Sequence, residues 1–129
     1  MSIYQVAQHA VDLDRAEAFY EEFLGKPASG RFDPPGLLFF ETGDMRLLLE
    51  VNAPPALIYF KVDDVADKVE DLRAKGVTVE SEPHVIFRHA DNALGPAGTD
   101  EWHAFIRDSE GNLLGLIEHK ASDISPAPE

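Results

Sequence analysis

The chain has 129 residues, with 24 acidic side chains against 11 basic ones and a formal charge of -13. This length supports one domain, or two small halves sharing a core, and 44% hydrophobic with 27% charged residues excludes wholesale disorder. With no cysteine there are no disulfides, thiolate zinc sites or cysteine nucleophiles, and the acidic surplus argues against nucleic acid, whose phosphates are bound through lysine and arginine.

Residues 3–11 read as a strand with Gln5, Ala7 and His9 on one face. Asp12 and Asp14 supply helix-start chemistry, Asp14 with Glu17 fitting a capping box. Leu13, Ala16, Phe19, Tyr20, Phe23 and Leu24 then form one apolar stripe at helical spacing, stopped by Gly25 and Pro27. A Gly/Pro-rich stretch over 28–36 precedes a hairpin of 37–40 and 45–51 around Thr42-Gly43-Asp44. Asn52-Ala53-Pro54-Pro55 is the best internal boundary.

The pattern then restarts. A strand at 57–62 leads to the cap candidates Asp63 and Asp64 and to a helical stripe of Val65, Val69 and Leu72 ended by Gly76. Residues 77–79 and 85–87 are short strand candidates around Pro83, and a loop runs over 91–100. Strands at 102–107 and 113–118 close the pattern around the turn Asp108–Asn112, and a Pro/Ser/acid tail over 122–129 is expected to fray. The order is βαβββ twice, with Asp12-Leu13 recurring 52 residues later as Asp64-Val65. The expected class is α+β: one domain over 1–121 whose modules, about 3–51 and 57–118, form a cupped, half-open mixed barrel with helices outside.

Gln5 through Gly25, with Asp-Leu-Asp-Arg-Ala-Glu-Ala-Phe-Tyr followed by Phe-Leu-Gly, resembles the opening of the glyoxalase, bleomycin-resistance and extradiol-dioxygenase superfamily, also called vicinal oxygen chelate. The stretch from Ala104 to Glu118 resembles its closing hairpin. The resemblance implies paired βαβββ modules, a homodimer and often a divalent metal such as zinc, nickel or manganese. It implies no single reaction, since its members range from lyases, epimerases and dioxygenases to metal-free antibiotic-binding proteins.

In the resemblance, metal ligands come from Gln5, from near Leu48 with Glu50 one pleat further along, from Leu57 and from Gly115. Three of these four positions are altered, since leucine and glycine offer no ligand atom; Gln5 is kept, and Glu50 restores one place if the register slips by two. If Gln5, Glu50 and His103 converge, they present an amide, a carboxylate and an imidazole to one ion. Without an ion, His103 paired with Glu50 serves as base and proton shuttle. His9 and Phe105 correspond to substrate-holding and pocket-lining places, and His84 is a further substrate-binding candidate. Each histidine has a competing reading as an ordinary hydrogen-bonded residue, and His89 and His119 look like surface residues.

Alternation places Gln5, His9, Glu50, Tyr59 and His103 on a shared inward-facing surface that binds a small molecule. The first functional expectation is an enzyme of the lyase or isomerase type, moving a proton next to a carbonyl with His103 and Glu50. The second is a metal-free binding or sequestration protein with an aromatic-lined cup. No apolar run approaches the roughly 18 residues of a membrane helix, and MSIYQVAQ holds no signal-peptide stretch, so no membrane partner and a cytoplasmic address are expected.

Overall fold

A computed structural model of the chain describes residues 1–122, so the expected tail lies, but for Ser122, outside the described residues. The chain divides into two compact units, Met1–Leu57 with Asp108–Asn112 and Ile58–Arg107 with Leu113–Glu129. Each unit holds one helix and one four-stranded mixed sheet, so the α+β class built from two βαβββ modules is what the sequence led us to expect.

In the first unit β1 (Gln5–His9) leads into α1 (Leu13–Leu24), followed by β2 (Gly30–Phe32), β3 (Leu37–Thr42) and β4 (Met45–Glu50), ordered β1-β4-β3-β2 in the sheet. The pair β1–β4 is parallel and the others antiparallel. Asp12 caps α1 by accepting the Arg15 backbone N–H at 3.0 Å, and Gly25 ends it in the left-handed conformation at φ 74°. Asp14 and Glu17 do not form the expected capping box. Both bind Arg31, at 2.8 and 2.9 Å, and Arg31 lies on β2, a strand inside the stretch read as irregular. The helix buries Ala16, Tyr20 and Phe23, and one sheet face buries Gln8, Leu38, Phe40, Leu47 and Leu49. Tyr20 meets Phe40 at 6.2 Å, so this is the helix-covered face.

The second unit repeats the plan. β5 (Ile58–Lys61) and α2 (Val65–Ala74) precede β6 (Val79–Arg88), β7 (Thr99–Arg107) and β8 (Leu113–Ala121), ordered β5-β8-β7-β6 with β5–β8 parallel. Asp64 caps α2 through the Asp67 N–H at 3.0 Å. The two candidates flanking Pro83 are one strand. Pro83 is tolerated because β6 is an edge strand whose pairing with β7 shifts register between Ser81 and His84. β7 begins at Thr99 and β8 runs to Ala121, each three residues longer than alternation suggested. No helix among the described residues is long and apolar enough to cross a membrane.

Candidate functional site

Along β7 the alternation sends Ala104 and Ile106 to one face, where they are fully buried, and Glu101, His103 and Phe105 to the other. Along β8, Leu114, Leu116 and Glu118 share the first face, and Glu118 accepts the N–H of Val65 at the start of α2, at 2.9 Å. Gly115, Ile117 and His119 therefore lie on the helix-free face with Glu101, His103 and Phe105, in the cross-strand pairs Phe105–Gly115, His103–Ile117 and Glu101–His119. Tyr59 of β5 pairs with Gly115, and its ring lies over that glycine: a Cβ there would stand 2.4 Å from Tyr59 Cδ2. The rings of Tyr59, His103 and Phe105 form one group, with centroids 5.4 to 6.2 Å apart.

Glu101 is the centre of this face. Its Oε2 accepts from His103 Nε2 at 2.5 Å, and its Oε1 accepts from both His89 Nε2 at 2.9 Å and His119 Nε2 at 3.1 Å. A carboxylate can only accept, so each of the three rings carries its proton on Nε2 in this arrangement. Burial by itself would raise the Glu101 carboxyl, but the bonds from His103, His89 and His119 outweigh it and hold the group below the ordinary glutamate value. The side chain of His89 is 2% exposed and that of His119 20%, which corrects the reading of both as surface residues.

The first unit carries three of the expected residues on its own helix-free face. Gln5 and His9 share the parity of Arg46 and Glu50, with which they are paired in register. His9 Nδ1 donates to the Ala53 carbonyl at 3.0 Å and so ties the strand to the connection that follows β4. The Gln5 Oε1 accepts from Arg46 Nε at 3.0 Å and Nη2 at 2.6 Å, and that guanidinium stacks on Tyr4 and Phe39. A glutamine binds a metal only through this oxygen, and a cation already holds it. Leu57 and Gly115 offer no ligand atom, and the Tyr59 ring fills the space at Gly115. The residues present do not fit a metal at the positions the resemblance implies.

His103 takes its carboxylate partner from Glu101, two residues away on the same strand face, and not from Glu50. His84 lies opposite His103 on β6, is exposed, and bonds through Nδ1 to the Glu82 carbonyl at 2.8 Å. Glu101 precedes the strand expected from Trp102 and His119 follows the one expected to end at Glu118, so the sequence reading leaves out the first and puts the second on the surface. Extending the same alternation, Phe105–His103–Glu101 and Gly115–Ile117–His119, would have found both. His89 lies beyond β6, outside any alternation, and carried no such signal.

Comparison with known proteins gives a family. The model described as "Glyoxalase/Bleomycin resistance protein/Dioxygenase superfamily" matches residues 2–116. The uncharacterized protein YraH of Bacillus subtilis (strain 168) is 24% identical over 139 residues, covering 92% of this chain and 98% of that protein. A solved lactoylglutathione lyase from Agrobacterium tumefaciens superposes with a TM-score of 0.66 at 28% identity, covering 91% of this chain and 92% of that one. A glyoxalase/bleomycin resistance protein/dioxygenase from Alicyclobacillus acidocaldarius, 19% identical with a TM-score of 0.63 over 92% of this chain and 91% of that one, shares the fold.

Proposed function

The chain belongs to the glyoxalase/bleomycin resistance protein/dioxygenase superfamily, and on that premise we propose a small-molecule enzyme of the lyase or isomerase type that moves a proton next to a carbonyl. The observation that carries this reading is the His103–Glu101 pair beside the rings of Tyr59 and Phe105. Because Nε2 donates to Glu101, the lone pair of His103 is on Nδ1. Among the described residues Nδ1 accepts no hydrogen bond, and no buried side-chain nitrogen lacks a partner, so Nδ1 touches solvent on a side chain that is 12% exposed, and this is the atom that would meet a substrate. It takes the proton, Glu101 stabilises the imidazolium, and the proton is returned to the neighbouring carbon. His89 and His119 hold the opposite carboxylate oxygen and so orient Glu101. The lyase from Agrobacterium tumefaciens supports a carbonyl adduct as the substrate class.

The test is hydrogen–deuterium exchange next to the carbonyl, followed by NMR in deuterated water with 2-oxoaldehydes and their thiol adducts. Exchange catalysed by the full chain should fall roughly 100- to 10,000-fold in His103→Gln. Wild-type protein that exchanges none of these compounds would sink the enzyme reading. The ring group of Tyr59, His103 and Phe105 favours a second reading, sequestration of a flat small molecule, which calorimetric binding without exchange would support. The chain is read as a homodimer, in keeping with the exposed Val85, Ile86 and Phe87 on the edge strand β6.

A further inference from the structure

We infer that His89, Glu101 and His119 form a binding site for one divalent transition-metal ion, separate from the Gln5, Leu48, Leu57 and Gly115 positions. Their ligand atoms lie within 4.8 Å of one another, just past the end of β6, on β7 and on β8. The two ring nitrogens approach one carboxylate oxygen at 2.9 and 3.1 Å. Ligands about 2.1 Å from a tetrahedral ion stand roughly 3.4 Å apart, so each ring nitrogen need move only a few tenths of an ångström from the carboxylate oxygen, while the two ring nitrogens, which lie within 4.8 Å of each other, settle to the same spacing. The imidazoles then carry their protons on Nδ1 and give Nε2 to the ion. Two imidazoles with one carboxylate suit zinc and its first-row neighbours, whereas calcium and magnesium prefer an all-oxygen shell.

The surrounding chain is shaped around these three groups. Backbone bonds on both sides of His89 fix it, its N–H to the Thr99 carbonyl and its carbonyl from the Gly98 N–H, each 2.8 Å. The connection from β6 to β7 then crosses the rings so closely that a Cβ at Gly95 would stand 2.7 Å from His89 Cε1 and 2.9 Å from His119 Nε2. Only glycine permits that approach. The Asn92 side chain accepts the Ala97 N–H at 2.8 Å and keeps this connection in place. His103, on the other carboxylate oxygen, orients Glu101 from outside the ligand set.

The whole chain, stripped with a chelator and titrated with zinc against a chromophoric competitor, should take up one ion per chain, and calcium should not displace it. Glu101→Gln and His119→Gln should each weaken zinc at least about 100-fold. His103→Gln should weaken it roughly 10- to 100-fold, and Gln5→Ala should leave it unchanged. In unmutated protein, imidazole nitrogen NMR should show zinc shifting His89 and His119 while His9 and His84 stay in place, which decides the matter even if a variant does not fold. Substoichiometric zinc, shifts at His9 and not at His89, or loss of binding in Gln5→Ala would overturn the site. Proton exchange next to a carbonyl is measured separately, so failure of the metal site and failure of the enzyme reading are told apart.

Discussion

Glu110 offers a prediction in which charge, burial and pH can be followed together. Its side chain is fully enclosed and accepts the N–H groups of Val11 and Asp12, both at 2.9 Å, and Arg15 at 2.7 and 3.1 Å. It thereby holds the turn Asp108–Asn112 on the N-terminal end of α1 within the first unit. Burial raises its carboxyl, but the Arg15 and backbone bonds outweigh it and bring the group from 4.5 down to about 2. A shift of that size corresponds to about 3 kcal/mol, and solvent around the half-exposed Arg15 leaves roughly 1–2 kcal/mol of it. A carboxyl lowered on folding stabilises above its unfolded value and loses that contribution as pH falls through the folded one, here between 4.5 and about 2. Glu110→Gln should therefore cost roughly 1–2 kcal/mol at pH 7 and less than half of that at pH 3, measured by urea unfolding followed by circular dichroism. An equal loss at both pH values, or none at pH 7, would refute the electrostatic account.

Two further substitutions probe one contact in each unit. Gly95→Ala should cost about 1–3 kcal/mol, because the added methyl meets ring atoms at 2.7 to 2.9 Å, and should weaken zinc as well; an unchanged melting temperature would show that the connection over His89 is not tight. Tyr20 is fully buried and its hydroxyl, pushed well above the ordinary tyrosine value by burial and by Asp108, donates to Asp108 Oδ2 at 2.5 Å. Tyr20→Phe should cost about 1–3 kcal/mol in denaturant unfolding, and a loss under about 0.5 kcal/mol would mean that this bond does not hold the turn.

Elements were legible in the sequence wherever the signal was local. Asp12 and Asp64 sit at the caps that their repeated context indicated, Gly25 and Gly76 adopt the positive φ that ends each helix, and Gly43 makes the hairpin turn. Alternation placed Gln5 with His9 and His103 with Phe105, because a strand's side-chain period is a property of the backbone. Strand ends were less legible, since pairing with a neighbour extends a strand past the point where its own hydrophobic pattern fades. Glu101 and His119 lie in those extensions. What only the tertiary structure decided was the meeting of His89, Glu101 and His119, because it depends on the register between β7 and β8, on the irregular pairing of β6, and on a connection that Gly95 lets pass over two rings. Residues 12 to 30 positions apart become neighbours through sheet hydrogen bonds and close packing. Both are non-local, so no spacing rule along the chain announces them.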